Sequence, residues 1–185
     1  MHNVKDQFIN TAELNEVKSE LVLLRKHLFA DDITKTKNRL WVYKEKLSDN
    51  ETFNDFGYMV SMHISNYKVI VKEYDSNVGN RLLKQVSDYM IGYMKENKLK
   101  HEMVRYEEDN FFIFLNDLNE EEVEERMLKM QKSMTNHKFK YRSRMFMLVF
   151  NFAVMQYIEN ESFSSVLDQL DEKLFMNKTS EEQLF

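Results

Sequence analysis

The chain has 185 residues, 43% of them hydrophobic, and a net charge of −5. This length is sufficient to bury one hydrophobic core and too short for two full domains. The absence of cysteine excludes disulfides and thiolate metal sites, and three glycines without any proline exclude a glycine-rich phosphate loop. We expect an N-terminal appendage, residues 1–29, followed by one domain, residues 30–185.

The longest strongly apolar run, residues 145–157, is shorter than the roughly 20 residues that a membrane-spanning helix needs. The first 21 residues lack the basic, apolar and small-residue stretches of a secretory signal. We therefore expect a cytoplasmic protein without membrane insertion. Because basic residues are interspersed with acidic ones, we also expect no nucleic-acid partner.

The first predicted element is a helix whose apolar residues are spaced alternately by three and four. This heptad-like seam consists of Leu14, Val17, Leu21, Leu24 and Leu28. Glutamates and basic residues fall at the g and e positions that face each other in a parallel two-stranded coiled coil. Two interpretations remain open: a homodimer formed through this helix, or a helix packed on its own domain.

The remaining elements follow in chain order. Residues 36–47 predict a helix with Leu40, Tyr43 and Leu47 on one face. The alternation in residues 58–65 predicts a strand. The later predicted helices are residues 66–74, 80–97, 120–135 and 164–177. The later predicted strands are the hairpin 103–106 and 111–115 and a buried central strand, 145–157. This order predicts an α/β or α+β sandwich with an antiparallel hairpin in its sheet, flanked by helices.

The hairpin carries a family resemblance. Residues 105–111, RYEEDNF, resemble the arginine, aromatic and Gly-Gly-Asp-Glu-Phe turn of GGDEF domains. Residues 31–39 resemble the family's opening D-x-L-T-G-L-x-N-R, residues 63–68 its D-I-D-x-F-K, residues 79–83 its G-D-x-L-L, and residues 171–178 its last helix. The resemblance implies a palm-type nucleotidyl-cyclase sheet, with the first helix in the place of the family's coiled-coil stalk.

In active GGDEF domains two GTP-loaded copies form cyclic di-GMP, with metal ions held by acids of the first strand and the hairpin. The resemblance implies that the two acids of the first strand are replaced here by His63 and Ser65. Of the hairpin acids, Asp109 is kept and the second is Asn110. Since Mg²⁺ prefers hard oxygen ligands, this set is a poor cage for two ions.

Most of the other family positions are altered as well. The resemblance implies that the two glycines on which the family's triphosphate lies are replaced here by Glu107 and Glu108. These glutamates place negative charge where a polyanion would bind. The family's guanine-reading pair is matched by Val71 and Asn80, and one phosphate-contacting residue is kept as Lys178. The family's product-binding inhibitory site is matched by Lys98 and His101.

Each surviving residue has a second interpretation. Asp109 is either a remaining metal ligand or a solvated hairpin carboxylate, and we favour the second. His63 with Asp109 would suit a transition metal, but a lone histidine at a strand end is more often structural.

The sequence therefore predicts a catalytically inactive GGDEF-like domain that regulates or binds another protein, with no cofactor and no bound GTP or cyclic di-GMP. The alternatives are a divergent nucleotidyl cyclase with altered metal or substrate use and a nucleotide sensor without turnover.

Overall fold

The computed structural model describes residues 11–182, and the side chains of residues 13–177. The helices are α1 Thr11–Leu28, α2 Arg39–Trp41, α3 Tyr67–Tyr74, α4 Ser76–Glu96, α5 Glu120–Asn136 and α6 Phe163–Glu182, and α2 continues into a π-helical turn, Val42–Lys46. The strands are β1 Lys37–Asn38, β2 Gly57–Ile64, β3 Glu102–Arg105, β4 Asn110–Leu115, β5 Phe139–Tyr141, β6 Arg144–Phe146 and β7 Phe150–Tyr157.

Five strands form the main sheet in the order β1-β3-β4-β2-β7. β1 is parallel to β3, and the other neighbours are antiparallel, so β3 and β4 form the predicted hairpin. β5 and β6 form a separate two-stranded hairpin. The mixed α/β architecture with an antiparallel hairpin is therefore confirmed.

A separate hydrophobic core lies on each face of the sheet, because successive residues of a strand point to opposite faces. In β4, Phe111 and Ile113 join the core beneath α3, α4 and α5, whereas Phe112 and Phe114 join the core beneath α2 and α6. All four of these side chains are buried, so β4 is covered on both faces.

α1 contacts the domain near its C-terminal end. Asn38 Nδ2 donates to the carbonyl oxygen of Leu28 at 2.8 Å, and Arg25 pairs with Glu45. The five seam residues are between 41% and 64% exposed. The interpretation that this seam packs on its own domain is therefore wrong for this structure.

The predicted helix over residues 36–47 is wrong in its bounds. Asn38 accepts a hydrogen bond from the backbone N–H of Trp41 at 3.1 Å and caps α2, so the helix begins at Arg39. The two preceding residues pair with β3 instead. Leu40 is 39% exposed and does not share a buried face with Leu47.

The prediction of a buried central strand over residues 145–157 is also wrong. Only Phe150–Tyr157 enters the main sheet, and it lies at the edge beside β2. Residues 144–146 fold back on β5. Because Met145, Met147 and Val149 are exposed apolar residues, the hydropathy of this run hid an alternation of buried and exposed positions.

Within the described residues, no helix is long and apolar enough to cross a membrane.

Candidate functional site

The β3–β4 turn lies at one end of the main sheet. The backbone N–H groups of Tyr106 and Glu107 donate to the carbonyl oxygen of Asn110 at 3.1 and 3.4 Å. Glu107 and Glu108 are exposed at the tip of this turn. Two carboxylates therefore face solvent together where the resemblance places the phosphate-binding glycines.

Asp109, in contrast, turns inward and is 5% exposed. Its Oδ2 lies 3.3 Å from Nε2 of His63 on β2, and its carbonyl oxygen accepts from the backbone N–H of Ile64 at 3.0 Å. The interpretation of Asp109 as a solvated carboxylate is wrong in this respect. Nδ1 of His63 is buried and has no hydrogen-bond partner among the described residues.

The environment of Asp109 favours the ionised carboxylate. Burial alone would raise its pKa, but the interaction with His63 and the charge of Lys68 outweigh burial and hold the pKa of Asp109 below its usual value. A depressed pKa contributes stability that is present above the pKa of the unfolded chain and is lost as the pH falls through the folded value.

This sign gives a testable pH dependence. At about pH 7, Asp109→Asn should lower the free energy of unfolding by about 1–3 kcal/mol, because a charged partner of His63 is removed. The difference between the two proteins should shrink as the pH falls through the depressed pKa of Asp109, because the wild-type carboxylate is then protonated. Urea unfolding at a series of pH values from about 7 downwards measures this. The exposed Glu108→Gln is the matched control and should change stability by less than about 0.5 kcal/mol.

The side chains of Asn110 and Ser65, the other two residues matched to the family's metal-binding acids, form hydrogen bonds with neighbouring strands. Asn110 Oδ1 accepts from Ser61 Oγ at 3.0 Å. Ser65 Oγ accepts from Asn151 Nδ2 on β7 at 3.1 Å. The residues at the family's metal positions are thus engaged with one another and with the sheet.

The side chains at these positions are not suited to bind a pair of Mg²⁺ ions. They offer one carboxylate, Asp109, which already contacts an imidazole, whereas Mg²⁺ is bound through oxygen ligands. In residues 11–182, as far as they are described, no cluster of three or more His, Cys, Asp or Glu could hold a metal ion.

Val71 and Asn80 lie on adjacent helices, α3 and α4, and both are partly buried. The helices meet at Gly79, where an added Cβ would lie 2.5 Å from Val71 Cγ2 and 2.8 Å from the hydroxyl of Tyr67. Glycine is required here by close helix packing. The structure thus places Val71 against Gly79, the residue that precedes Asn80.

Arg105 connects the turn to residues 31–39. Its guanidinium lies 3.2 Å from Oδ2 of Asp31 and donates to the carbonyl oxygen of Glu108 at 3.0 Å. Asp31 also accepts from the backbone N–H and the hydroxyl of Thr34. Burial would raise the pKa of Asp31, but these hydrogen bonds and Arg105 together lower it. Lys35 follows with a φ of 61°, the left-handed region, at the position of the family's glycine.

The two residues matched to the inhibitory site lie just beyond α4, at the other end of β3 from the turn. Lys98 is exposed, with a φ of 54°. His101 is partly buried, and its Nδ1 lies 2.9 Å from the carbonyl oxygen of Leu99. Lys178 lies in α6, but its side chain is outside the described part of the chain.

A buried charge near His101 was not predicted from the sequence. Both His101 and the Lys46–Asp55 ion pair line a cavity of about 390 Å³. Nζ of Lys46 lies 2.7 Å from Oδ2 of Asp55 and about 5 Å from the ring centroids of Phe114 and Tyr157. Nothing in the local pattern distinguishes Lys46 from the neighbouring lysines.

A second missed feature is the exposed basic surface of the β5–β6 hairpin, and here the sequence did carry a signal. No acidic residue lies between Glu125 and Glu159. The statement that basic and acidic residues are interspersed is therefore wrong for this segment.

Comparison with known families agrees with this architecture. The family model described as "Diguanylate cyclase, GGDEF domain" matches residues 28–183. The chain therefore belongs to the GGDEF family, whose domains serve bacterial signalling. A search of curated proteins gave no significant match.

Several solved structures share the fold. The coiled coil and GGDEF domain of DgcB from Caulobacter crescentus, in complex with c-di-GMP, is 16% identical with a TM-score of 0.75, and the match covers 92% of this chain and 91% of that one. Diguanylate cyclase SiaD from Pseudomonas aeruginosa, in complex with its activator SiaC, is 14% identical with a TM-score of 0.74 over 92% of this chain and 66% of that one. The FimX GGDEF domain from Pseudomonas aeruginosa is 16% identical with a TM-score of 0.65 over 78% and 90%.

Proposed function

We propose that this GGDEF domain is catalytically inactive and acts as a regulatory, protein-binding module in bacterial signalling. The observation that carries the proposal is the contact between His63 and Asp109, 3.3 Å apart at the positions of the family's metal-binding acids. The remaining carboxylate is buried and has an imidazole partner. A metal pair would have to displace that partner and would then find a single acid.

The phosphate position supports the same proposal. Glu107 and Glu108 are exposed at the turn where a triphosphate would lie. At about 4 Å, each pair of like charges is unfavourable by ~1 kcal/mol in water and by several times that at a lower effective dielectric. Arg105, which could offset this charge, is already paired with Asp31. Binding of a nucleoside triphosphate is therefore disfavoured at both the metal position and the phosphate position.

Two structural relatives motivate the role in protein binding. SiaD is found in complex with a protein activator, and DgcB pairs its GGDEF domain with a coiled coil. We propose that residues 1–29 are a dimerising appendage, that residues 30–185 bind a protein partner, and that the protein works in the cytoplasm.

The purified protein should make no cyclic di-GMP from GTP with Mg²⁺ or Mn²⁺, because the metal and phosphate positions are both altered. Product is measured by chromatography, with diguanylate cyclase SiaD as the positive control. Formation of product that Asp109→Ala abolishes would contradict the proposal and favour a divergent cyclase.

Neither GTP nor cyclic di-GMP should give a saturable heat of binding at micromolar concentration. The reasons are the two glutamates of the turn for GTP, and for cyclic di-GMP the replacement of the inhibitory site by Lys98 and His101. Titration calorimetry tests this, with DgcB as the control that binds c-di-GMP. A saturable curve for either nucleotide would favour a nucleotide sensor without turnover.

A further inference from the structure

The segment between Glu125 and Glu159 contrasts with the acidic chain around it. It contains seven basic residues and no acidic one, in a protein of net charge −5. Four of the seven, Lys138, Lys140, Arg142 and Arg144, alternate along the β5–β6 hairpin, and all four are exposed. Positive charge is therefore concentrated on one short element.

The hairpin is held firmly on the domain. Phe139 and Phe146 face each other across its strands and are buried in the core. Gln85 on α4 binds both backbone groups of Lys140, accepting from its N–H at 3.1 Å and donating to its carbonyl oxygen at 2.9 Å. These contacts fix which side chains point away from the domain.

The outward side combines charge with apolar surface. Lys140 pairs directly with Met145, so their side chains lie on the same face, opposite the buried phenylalanine pair. Met145 and Met147 are 64% and 71% exposed. Asn66 holds the segment between β6 and β7 through hydrogen bonds to the carbonyl oxygen of Met147 and the N–H of Val149. We define the hairpin surface as Lys140, Arg142, Met145 and Met147 together with Arg81 on α4, which lines the same cavity as Lys140 and Arg142.

Two cavities flank the turn of the hairpin. One, of about 520 Å³, is lined by Arg81, Lys140 and Arg142, and the other, of about 410 Å³, by Tyr74, Tyr141 and Arg144. Their acidic residues are engaged: Asp88 pairs with Lys84, and Asp75 caps α4 through the N–H of Val78. Among the described residues, Arg81, Lys140 and Arg142 form no salt bridge, so their charges are available to a ligand.

Arg142 has a backbone conformation that does not favour arginine. Its φ is 54°, in the left-handed region, where glycine or asparagine is more stable at a hairpin turn. An arginine at this position keeps a guanidinium at the tip of the hairpin at the expense of a better turn residue. A role for that charge outside the fold accounts for this choice.

We propose that the hairpin surface binds an acidic amphipathic segment of a partner protein, with carboxylates at Arg81, Lys140 and Arg142 and apolar side chains on Met145 and Met147. Exposed methionines suit adaptable protein contacts, whereas membrane surfaces select exposed Trp, Phe or Leu. Stacking of nucleic-acid bases needs open aromatic faces. Here Arg142 lies 5.3 Å from the ring centroid of Tyr141, and Arg144 lies 5.1 Å from that of Tyr74. The inference rests on the proposed role as a protein-binding module.

The test uses a synthetic helical peptide of about 18 residues with glutamates on one face and leucines on the other. A peptide of the same composition without an apolar face is the control. Fluorescence anisotropy should show saturable binding below about 1 mM that weakens when the ionic strength rises from about 0.05 M to about 0.5 M. Amide NMR shifts should map to the hairpin surface.

Two variants separate charge from apolar contact. Lys140→Glu with Arg142→Glu, and separately Met145→Ser with Met147→Ser, should each weaken peptide binding about ten-fold. The matched control, Lys44→Glu with Lys95→Glu, changes the same charge at exposed sites elsewhere and should change the affinity less than two-fold. Arg142→Asn should weaken binding while leaving the melting temperature equal or higher, because asparagine fits a positive φ better.

Four results would overturn the inference: no saturable binding of the peptide, equal binding of the control peptide, equal loss in the Lys44/Lys95 variant, or tighter binding to phosphatidylglycerol vesicles or single-stranded DNA than to the peptide. Cyclic di-GMP production is measured on the same samples. Product formation contradicts the proposed function, whereas absent peptide binding without product contradicts only the assignment of this surface.

Discussion

Asp55→Ala should lower the free energy of unfolding by about 3 kcal/mol or more, because it leaves the ammonium of Lys46 buried without its counter-charge. The side chain of Lys46 is 8% exposed, while that of Asp55 is 41% exposed. Removing the more exposed partner should therefore be the more damaging change. Asn116, which donates to Asp55 Oδ2 at 3.1 Å, would lose its acceptor as well.

The reciprocal change, Lys46→Met, should lower stability by about 1 kcal/mol or less. Methionine keeps the apolar contact with the rings of Phe114 and Tyr157, and the partly exposed Asp55 keeps its hydrogen bond from Asn116. The double variant should resemble Lys46→Met alone. Urea unfolding of the three variants measures this cycle. Small losses in both single variants would show that Lys46 is solvated and that the pair contributes little.

The elements predicted best are strands whose side chains point into one or the other of the two cores. β2 and the β3–β4 hairpin were predicted to within a residue or two, because their side chains alternate between two cores. α4 begins four residues earlier than predicted, at Ser76, because Asp75 accepts from the N–H of Val78 and caps the helix.

The errors arise where hydropathy and exposure differ. Met145 and Met147 are apolar but exposed, so residues 145–157 resembled one buried strand, although the chain turns into a hairpin and then an edge strand. Strand order depends on contacts that are distant in sequence, and local periodicity does not report them.

For the candidate site, the family resemblance placed His63 and Asp109 in one region, and the register of β2 with β4 sets His63 opposite Asn110, next to Asp109. Their direct contact, the burial of Asp109 and the pairing of Arg105 with Asp31 depend on side-chain directions. The Lys46–Asp55 pair depends on a π-helical turn that nothing in its sequence predicts.

The α1 seam should form a dimer that a double substitution abolishes. Leu21 and Leu24 are 57% and 64% exposed in the single chain, and a second α1 would bury them. If each leucine is buried at the interface, truncation to alanine weakens the dimer by about 2–5 kcal/mol per site. Leu21→Ala with Leu24→Ala should then raise the dissociation constant at least about a thousand-fold.

Light scattering at tens of micromolar should give a dimer for the wild type and a monomer for this variant, with the same circular dichroism spectrum. The matched control is Val22→Ala with Leu23→Ala, which truncates two residues of the same helix, 67% and 55% exposed, that lie outside the seam. Because these positions face away from a heptad partner, the control should remain a dimer. A monomeric wild type would rule out the dimer, and a monomeric control would place the contact on another face of α1. Unfolding of the seam variant would instead assign these leucines to the core, against their exposure in the folded chain.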